Sequence, residues 1–521
     1  MPLPAALLPC LLASQSVAPP PTLTHVATHD SGRFMQSASE IAARSPRGDA
    51  LLVVDARRGL VEMAMAADGT LAQRSLIAMQ GANSVAVHGD LVAVACAGPG
   101  PGDSGVVHLL DPSLATLATI PVGVGPDMVT FTPDGRRILV ANEGEPSPDG
   151  LIDAPGSVSL IDVSAGARTA TVETVGFHAF DPRREALVKA GLHLALRHAP
   201  LSVQAEPEYI ACSPDGATAF VGLQELNAVA VLDLAQPQVT AIIPLGTKDF
   251  SMPGAGLDPD DRDGAARTAP HPVRGLLQPD SIACFAHGGS LWLVTANEGE
   301  EREQGQFKEG VRWGKAVRSA AAPAMPALDR LTVSSVASDP DGDGVLDAPV
   351  CFGARSASLW RFVPAVDGAA PRLELAWDSG DAFERLVAER NPAAFNADIE
   401  SSPWVDGRSD AKGPEPEGLA IGEVDGRRLA FVGLERSHGI VVIDLTDPRS
   451  PRIVDHASRC DPRADLKAAA TDPAPLRTAG DLAPEGVLFI GADRNPTGRP
   501  ILVTCNEVSG TTTIWAVTPP R

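Results

Sequence analysis

Short apolar segments alternate with turns along most of the chain and predict a repeated β-sheet unit. Six of seven units start with a small residue or proline followed by an acidic residue, Ser84 being the exception, and each unit then continues as strand, turn and strand. Pro133-Asp134-Gly135 and Pro214-Asp215-Gly216 are typical hairpin turns, because glycine tolerates the positive φ that such turns require. A third strand ends in aspartate, as at 158–162 and 229–233. The pattern therefore predicts four antiparallel strands per unit.

Seven units align on their starting residues. The starts are Ser39-Glu40, Asn83-Ser84, Pro126-Asp127, Pro207-Glu208, Pro279-Asp280, Pro416-Glu417 and Pro484-Glu485. The shortest spacings, 43 and 44 residues, match the length of a propeller blade. The last unit lacks a fourth strand, whereas an extra strand at 22–28 precedes the first unit. We predict an all-β, seven-bladed β-propeller over residues 19–521, in which the N-terminal strand completes the last blade and closes the ring.

Long insertions interrupt the repeat at two kinds of position. They follow fourth strands or separate second from third strands, at about 175–205, 246–277, 379–414, 455–482, 143–155 and 298–355. In a propeller, both kinds of loop open on the same face. Since insertions confined to one face usually build a binding surface, we expect function to lie there.

Acidic residues recur at that face in two sets. The first set begins the first strands: Glu40, Asp127, Glu208, Asp280, Glu417 and Glu485. The second set ends or follows second strands: Asp55, Glu143, Glu298, Glu435 and Glu507. Such carboxylates would repel one another unless cations, arginines or protons neutralise them, and hard cations such as calcium suit oxygen ligands. We expect both sets to bind calcium; the alternative is that each carboxylate accepts hydrogen bonds from backbone amides at a strand start.

A separate acidic segment has the DxDxDGxxD spacing of calcium-binding loops. Its predicted ligands are Asp339, Asp341, Asp343 and Asp347. The twelfth position is Val350 rather than the bidentate glutamate of a complete EF-hand. A calcium loop and an ordinary acidic turn therefore remain alternatives.

Composition and charge narrow the classes of function. The chain has 521 residues, 44% of them hydrophobic, and a formal net charge of −23, which argues against nucleic-acid binding and favours cations as partners. No apolar run reaches the roughly 18 residues that span a bilayer. Residues 1–18 contain an apolar stretch ending in Ser16-Val17-Ala18, although no basic residue precedes it, so a secretory signal and an ordinary chain start remain alternatives. The leader thus leaves a secreted or periplasmic location open, and we expect a monomer.

Several longer strings resemble a known family. They are ANEGEPS (141–147), QPD (278–280), TANEGE (295–300), GARS (353–356), KGPEPEG (412–418), GLER (433–436) and NEVSGTT (506–512). They resemble the choice-of-anchor I family of bacterial propellers, which is related to mesenchyme-specific cell-surface glycoproteins. The resemblance covers nearly the whole chain and implies an exported protein. Some members of the family are labelled alkaline phosphatase or phytase-like.

Two functions agree with this sequence. The first is a surface or periplasmic calcium-binding scaffold. The alternative is a calcium-dependent phosphoesterase acting on phosphorylated small molecules, in which Glu417 binds metal and Arg355 stabilises developing negative charge. Ion pairing with a nearby carboxylate is the other interpretation of Arg355. The sequence contains no GxSxG elbow, P-loop, HExxH or dinucleotide-binding motif that would indicate another reaction.

Overall fold

The described part of the chain is dominated by β-strands, which confirms the all-β prediction. The structure, a computed structural model, describes residues 20–322, 325–366, 368–398, 405–461, 463 and 478–518. The predicted leader at 1–18 lies outside these residues. Helices are short and lie in the insertions or in turns; they are Arg184–Lys189, Leu201–Gln204 and Ala382–Arg390, with 3-10 turns at Ala167–Thr169, His178–Arg183, Trp313–Lys315, Pro326–Leu328, Pro392–Ala394 and Ala492–Arg494.

Seven antiparallel sheets of four strands each contain most of the strand residues in the described part of the chain. Sheets one to three contain Ala42–Arg44, Ala50–Asp55, Gly59–Met65, Leu71–Ala78; Ala82–His88, Leu91–Cys96, Ser104–Leu110, Thr116–Val124; and Pro126–Phe131, Arg137–Asn142, Ser157–Asp162, Thr171–Gly176. Sheets four and five contain Pro207–Cys212, Thr218–Leu223, Ala228–Asp233, Gln238–Pro244; and Ile282–His287, Ser290–Asn297, Ser356–Val363, Arg372–Asp378. Sheets six and seven contain Pro416–Val424, Arg427–Leu434, Gly439–Asp444, Arg452–Ser458; and Pro484–Ile490, Ile501–Asn506, Thr511–Thr518, Thr22–Asp30.

Smaller sheets occur only within insertions among the described residues. One joins Thr247–Asp249, Arg274–Leu276 and Val350–Cys351, and two hairpins pair Glu303–Gln304 with Phe307–Lys308 and Gly310–Arg312 with Thr332–Ser334. They share a core that includes Trp313 and Leu331, both fully buried. The insertions at 246–277 and 298–355 are therefore folded against each other.

The first strands of successive sheets contact one another in chain order, and the first strand of sheet seven contacts that of sheet one. This order closes the sheets into a ring, as in a β-propeller. A separate apolar core fills each junction between neighbouring sheets. Leu52 and Val94, for example, meet between sheets one and two. Burial of apolar side chains at every junction thus holds the ring together.

The N-terminal strand completes the seventh sheet, as the sequence predicts. Thr22–Asp30 pairs antiparallel with Thr511–Thr518 in a register that runs from Thr22 opposite Thr518 to Asp30 opposite Thr511. Leu23 packs in the core between sheets six and seven, and Val26 packs in the core between sheets seven and one. The strand therefore covers what would otherwise be a free edge.

Arg355 joins two insertions from inside the protein. Its side chain is almost fully buried, and Nη1 donates to the Asp258 carbonyl at 2.8 Å and to Glu384 Oε1 at 2.7 Å. Nη2 donates to the carbonyls of Ser409 at 2.7 Å and Ala411 at 2.8 Å. All four terminal N–H groups are thereby used. Of the two interpretations of Arg355, the structure supports ion pairing: the side chain pairs with Glu384 among loop carbonyls and does not reach the acidic face, because the insertions on both sides surround it.

No helix in the described ranges is both long enough and apolar enough to cross a membrane.

Truncation tests the role of the N-terminal strand. We expect removal of residues 1–30 to lower the free energy of unfolding by several kcal/mol. The truncated protein loses the backbone hydrogen bonds of eight paired residues, each worth ~1 kcal/mol, together with the apolar contacts of Leu23 and Val26. Thermal unfolding and sedimentation velocity measure the loss and any edge-to-edge association. Removal of residues 1–19 alone is the control. Equal melting temperatures for the two truncated proteins would contradict the proposed closure.

Substitution of Arg355 tests whether it anchors the insertions. We expect Arg355→Met to lower the free energy of unfolding by about 3–5 kcal/mol, because Glu384 then stays buried without its cation. Arg385→Met is the matched control, since Arg385 lies on the same helix as Glu384 and its side chain is 63% exposed in an ion pair with Asp381; we expect a loss of less than about 1 kcal/mol there. Chemical denaturation measures the free energy of unfolding of both variants, and similar losses in Arg355→Met and Arg385→Met would be evidence against an anchoring role.

Candidate cation-binding site

Two connected cavities lie where the sheets converge. The first, the central channel, has a volume of about 740 Å³ and is lined by the first strands. The second, the acidic cavity, has a volume of about 590 Å³. They share the carboxylates Glu208, Asp280, Glu485 and Glu507. Ten of the eleven acids in the two predicted sets line one or both cavities, so the structure brings those ten together. Asp55 lines neither cavity and instead forms ion pairs with Arg33 and Arg58.

A recurring backbone contact places the two acidic sets side by side. Glu415 and Ala483 have φ values of +50° and +57°, and each precedes the proline that opens a first strand. The N–H of Glu435 donates to the Glu415 carbonyl at 2.8 Å, and that of Glu507 donates to the Ala483 carbonyl at 2.9 Å. Left-handed backbone is costly for residues with a Cβ, and these hydrogen bonds help to hold it. The first-strand acid, two residues further on, is thus adjacent to the acid that follows the second strand.

Burial and mutual repulsion disfavour the charged forms of the first-strand acids. Desolvation, then the Glu507 carboxylate, raise the pKa of Glu40 to about 7. Desolvation and Glu298 raise the pKa of Asp280 to about 7, and desolvation with the nearby Glu145 raises that of Asp127 to about 6. The same causes hold the pKa values of three further residues well above the ordinary range: Glu208, Glu417 and Glu485. Near neutral pH this region therefore favours protons or cations.

Four carboxylate oxygens at the two cavities are buried without a hydrogen-bond partner. They are Glu40 Oε1, Glu208 Oε2, Glu225 Oε2 and Glu417 Oε2. An ionised carboxylate only accepts hydrogen bonds, so such an oxygen needs a donor or a cation. Hard cations such as calcium prefer oxygen ligands of this kind. The chemistry of the lining therefore fits a cation.

Several carboxylates are close enough to share one ion. In each group, one oxygen per residue lies within 4.8 Å of the others; the groups at the cavities are Glu40, Glu485, Glu507; Glu143, Glu206, Glu225; Asp280, Glu298, Glu417; and Glu298, Glu415, Glu435. Two ligands at about 2.4 Å from one calcium ion are at most about 4.8 Å apart. The spacing of each group is therefore compatible with a shared ion.

Cationic side chains that the sequence did not identify lie around Glu415. Lys412 Nζ lies 2.6 Å from Glu298, 3.0 Å from Glu300 and 3.5 Å from Glu415. Arg408 Nε donates to Glu415 Oε1 at 2.6 Å. Although burial raises it, the charges of Arg408, Lys412 and Arg436 hold the pKa of Glu415 well below its ordinary range. The string KGPEPEG contains both Lys412 and Glu415 and was the available signal.

Arg302 was also missed, and it lies at the other side of the acidic cavity. It forms an ion pair with Glu206, and Nη2 lies 3.2 Å from both carboxylate oxygens of Asp153. Arg302 belongs to the insertion at 298–355, whereas Asp153 belongs to the insertion at 143–155. Arg302 therefore joins the insertion at 298–355 to the insertion at 143–155 through its ion pair with Asp153.

The predicted calcium loop lies apart from these cavities, and backbone N–H groups of the loop itself donate hydrogen bonds to the carboxylate of Asp339. Asp339 Oδ1 accepts from the Gly342 N–H at 2.9 Å, and Asp339 Oδ2 accepts from the Gly344 N–H at 3.1 Å. The side chains of Asp339, Asp341 and Asp343 lie within sharing distance of one ion, but Asp347 is not part of that group. Asp339 is buried and the next two acids are exposed. The loop thus combines a buried backbone-bonded aspartate with two exposed carboxylates.

Comparison with known proteins identifies related chains. Over 325 residues, 54% of this chain, it is 27% identical to the mesenchyme-specific cell surface glycoprotein of Strongylocentrotus purpuratus, of which 41% is covered. Over 180 residues, 34% of this chain, it is 28% identical to Gigasin-3a of Magallana gigas, of which 60% is covered. The chain thus spans about half the length of these curated relatives.

A solved structure and a family model also match. The β-propeller domain of Cps50 (Swd1) from Myceliophteria thermophila aligns with 95% of this chain and 100% of its own, at 11% identity and a TM-score of 0.45. The model of the choice-of-anchor I domain matches residues 40–448, most of the described ring. The chain therefore belongs to the choice-of-anchor I family.

Proposed function

We propose that this protein is a seven-bladed, cation-binding propeller of the cell surface or periplasm, and that its acidic cavity binds calcium. Each four-stranded sheet is one blade in this proposal. The family and the sea-urchin relative, whose name describes a cell surface glycoprotein, support an extracellular or surface location. A scaffold role follows because an ion held by several blades ties their loops together.

The observation that carries the proposal is the convergence of carboxylates from separate sheets, with buried oxygens that lack partners. Glu40, Glu208 and Glu417 each contribute such an oxygen, and they come from sheets one, four and six. Only three cationic side chains line the acidic cavity within the described chain: Arg302, Lys412 and Arg436. Negative charge at the cavity therefore exceeds the positive charge that the protein itself supplies there, and a divalent cation offsets the excess.

The phosphoesterase hypothesis gains no comparable support from the site. It required Arg355 to face the acidic cavity, whereas the terminal nitrogens of Arg355 are bonded to loop carbonyls and to Glu384. Glu417 does line the cavity, in a position suited to holding a cation. We therefore retain binding as the proposed function.

Calcium is expected to stabilise the protein more strongly as pH rises. The raised pKa values of Glu40 and Asp280, both about 7, mean that the folded protein holds protons that the unfolded chain releases from about pH 4.5 upward. The free energy of unfolding of the ion-free protein therefore falls as pH rises toward 7, and an ion that replaces those protons restores it. At a fixed free calcium concentration about 100 times the Kd at pH 8, we expect a gain of ~2.7 kcal/mol near pH 8 and a smaller gain near pH 5, where protons compete with the ion and raise its Kd.

Scanning calorimetry of the chelator-treated protein, with and without calcium, measures this gain at each pH. Potassium at equal ionic strength is the control for screening. A calcium effect that is absent, or equal to that of potassium, would refute calcium binding; a gain larger at the acid end would refute the linkage to these carboxylates.

Neutralising one carboxylate is expected to stabilise the ion-free protein. Glu417→Gln should raise the free energy of unfolding without calcium by about 1 kcal/mol or more, because burial and the Glu485 and Glu435 carboxylates oppose its charge. The same variant should gain less from calcium. Glu423→Gln is the matched control, since Glu423 lies on the same strand with its side chain 67% exposed. Urea denaturation with and without calcium tests both expectations; a destabilised ion-free Glu417→Gln protein would be the contrary result.

A further inference from the structure

Two carboxylate groups at the acidic cavity have similar spacing but different partners. The Glu225 group consists of Glu143, Glu206 and Glu225, and the Glu415 group consists of Glu298, Glu415 and Glu435. In both groups one oxygen of each residue lies within 4.8 Å of the other two. Distance alone therefore does not decide which group would hold an ion.

Each carboxylate of the Glu415 group is already paired with a lysine or arginine side chain of the protein. Lys412 bonds Glu298 Oε1 at 2.6 Å, and Gln224 donates to Glu298 Oε2 at 2.9 Å. Arg408 and Arg436 occupy the two oxygens of Glu415, at 2.6 Å and 3.4 Å.

The third member of the group is bonded as well. Arg436 lies 3.2 Å from Glu435 Oε1. An incoming ion would have to displace three cationic side chains that are held in the fold, and it would be repelled by their charge.

The Glu225 group has a deficit of positive charge. Its only ion-pair partner among the described residues is Arg302, which contacts Glu206 and is shared with Asp153. Glu225 is 8% exposed, lines the cavity, and its Oε2 atom is buried without a hydrogen-bond partner. The group therefore lacks the compensation that the Glu415 group has.

The fold fixes the positions of the three ligands. Glu143 directly follows the second strand of sheet three, and its N–H donates to the Gly125 carbonyl at 2.8 Å. Glu206 directly precedes the first strand of sheet four, and Glu225 lies in the turn after the second strand of the same sheet. An ion between them would join two neighbouring sheets. Through the Arg302–Glu206 pair, it would also hold the insertion that follows the second strand of sheet five.

We propose that one calcium ion binds between Glu143, Glu206 and Glu225, and that the Glu415 group binds none. This assignment rests on the proposed function, because it locates the ion within the acidic cavity. It distinguishes carboxylates that bind an exchangeable ion from carboxylates that are permanently paired with lysine and arginine.

Isothermal titration calorimetry with calcium chloride tests the assignment on the full chain after removal of metal with chelator. Three proteins are compared: wild type, Glu225→Gln and the matched variant Glu435→Gln. We expect Glu225→Gln to weaken the tightest calcium site by at least about tenfold, since it removes a ligand, and Glu435→Gln to leave that site within about threefold of wild type. Circular dichroism checks that each variant is folded. Glu143→Gln, in the same group, is titrated as well, and it replaces Glu225→Gln in the comparison if Glu225→Gln does not fold.

The outcomes separate the location of the ion from its existence. Loss of the tightest site in Glu435→Gln, or an equal loss in both variants, would overturn the assignment while leaving calcium binding in place. A wild-type protein that binds no calcium would refute the proposed function together with the assignment. Retained binding in both Glu225→Gln and Glu143→Gln would also overturn the assignment, since two ligands of the group would then be dispensable.

Discussion

Repulsion among carboxylates near the ring axis is the constraint on which the functional face depends. Each sheet begins close to its neighbours at the centre, so an acid at the start of a repeat is placed near the acids of the other repeats. The apolar cores between the sheets hold this arrangement against the repulsion, because each junction has its own buried side chains. Stability is thus supplied at the junctions, while unfavourable charge accumulates at the axis.

The repeat could be predicted from the sequence because it depends on local patterns. Short apolar strands separated by turns recur in every unit, the unit starts share a common pattern, and the edge left by the last unit matches the extra strand at the start of the chain. The two acidic sets could be predicted for the same reason. Glu40 and Glu485 are far apart in sequence, yet equivalent positions in a closed ring must lie together. The resemblance to the choice-of-anchor I family is confirmed by the family match.

The compensating cations could not be predicted, because they belong to insertions that the repeat does not constrain. Lys412 and Arg408 come from the insertion before sheet six, and Arg302 comes from the insertion within sheet five. The contacts of Arg355 could not be predicted either. The sequence left two roles open for Arg355, stabilisation of negative charge and ion pairing, because the carbonyls and the carboxylate that surround it are supplied by residues distant in sequence. Side chains in long loops are placed by tertiary contacts, and a single sequence carries little information about those contacts.

The insertions therefore determine which carboxylates remain available for ions. The repeats place acids around the axis with near symmetry, and a symmetric ring would give each acid a similar environment. The insertion before sheet six breaks this symmetry by bringing Lys412 and Arg408 to Glu415, whose carboxylate is then fully paired. On the side of Glu143 and Glu225, a single arginine contacts the group and shares its charge with Asp153. Under the proposed function, an ion is needed where the loops supply too few cations, so its expected position follows from the paths of the loops as well as from the repeated acids.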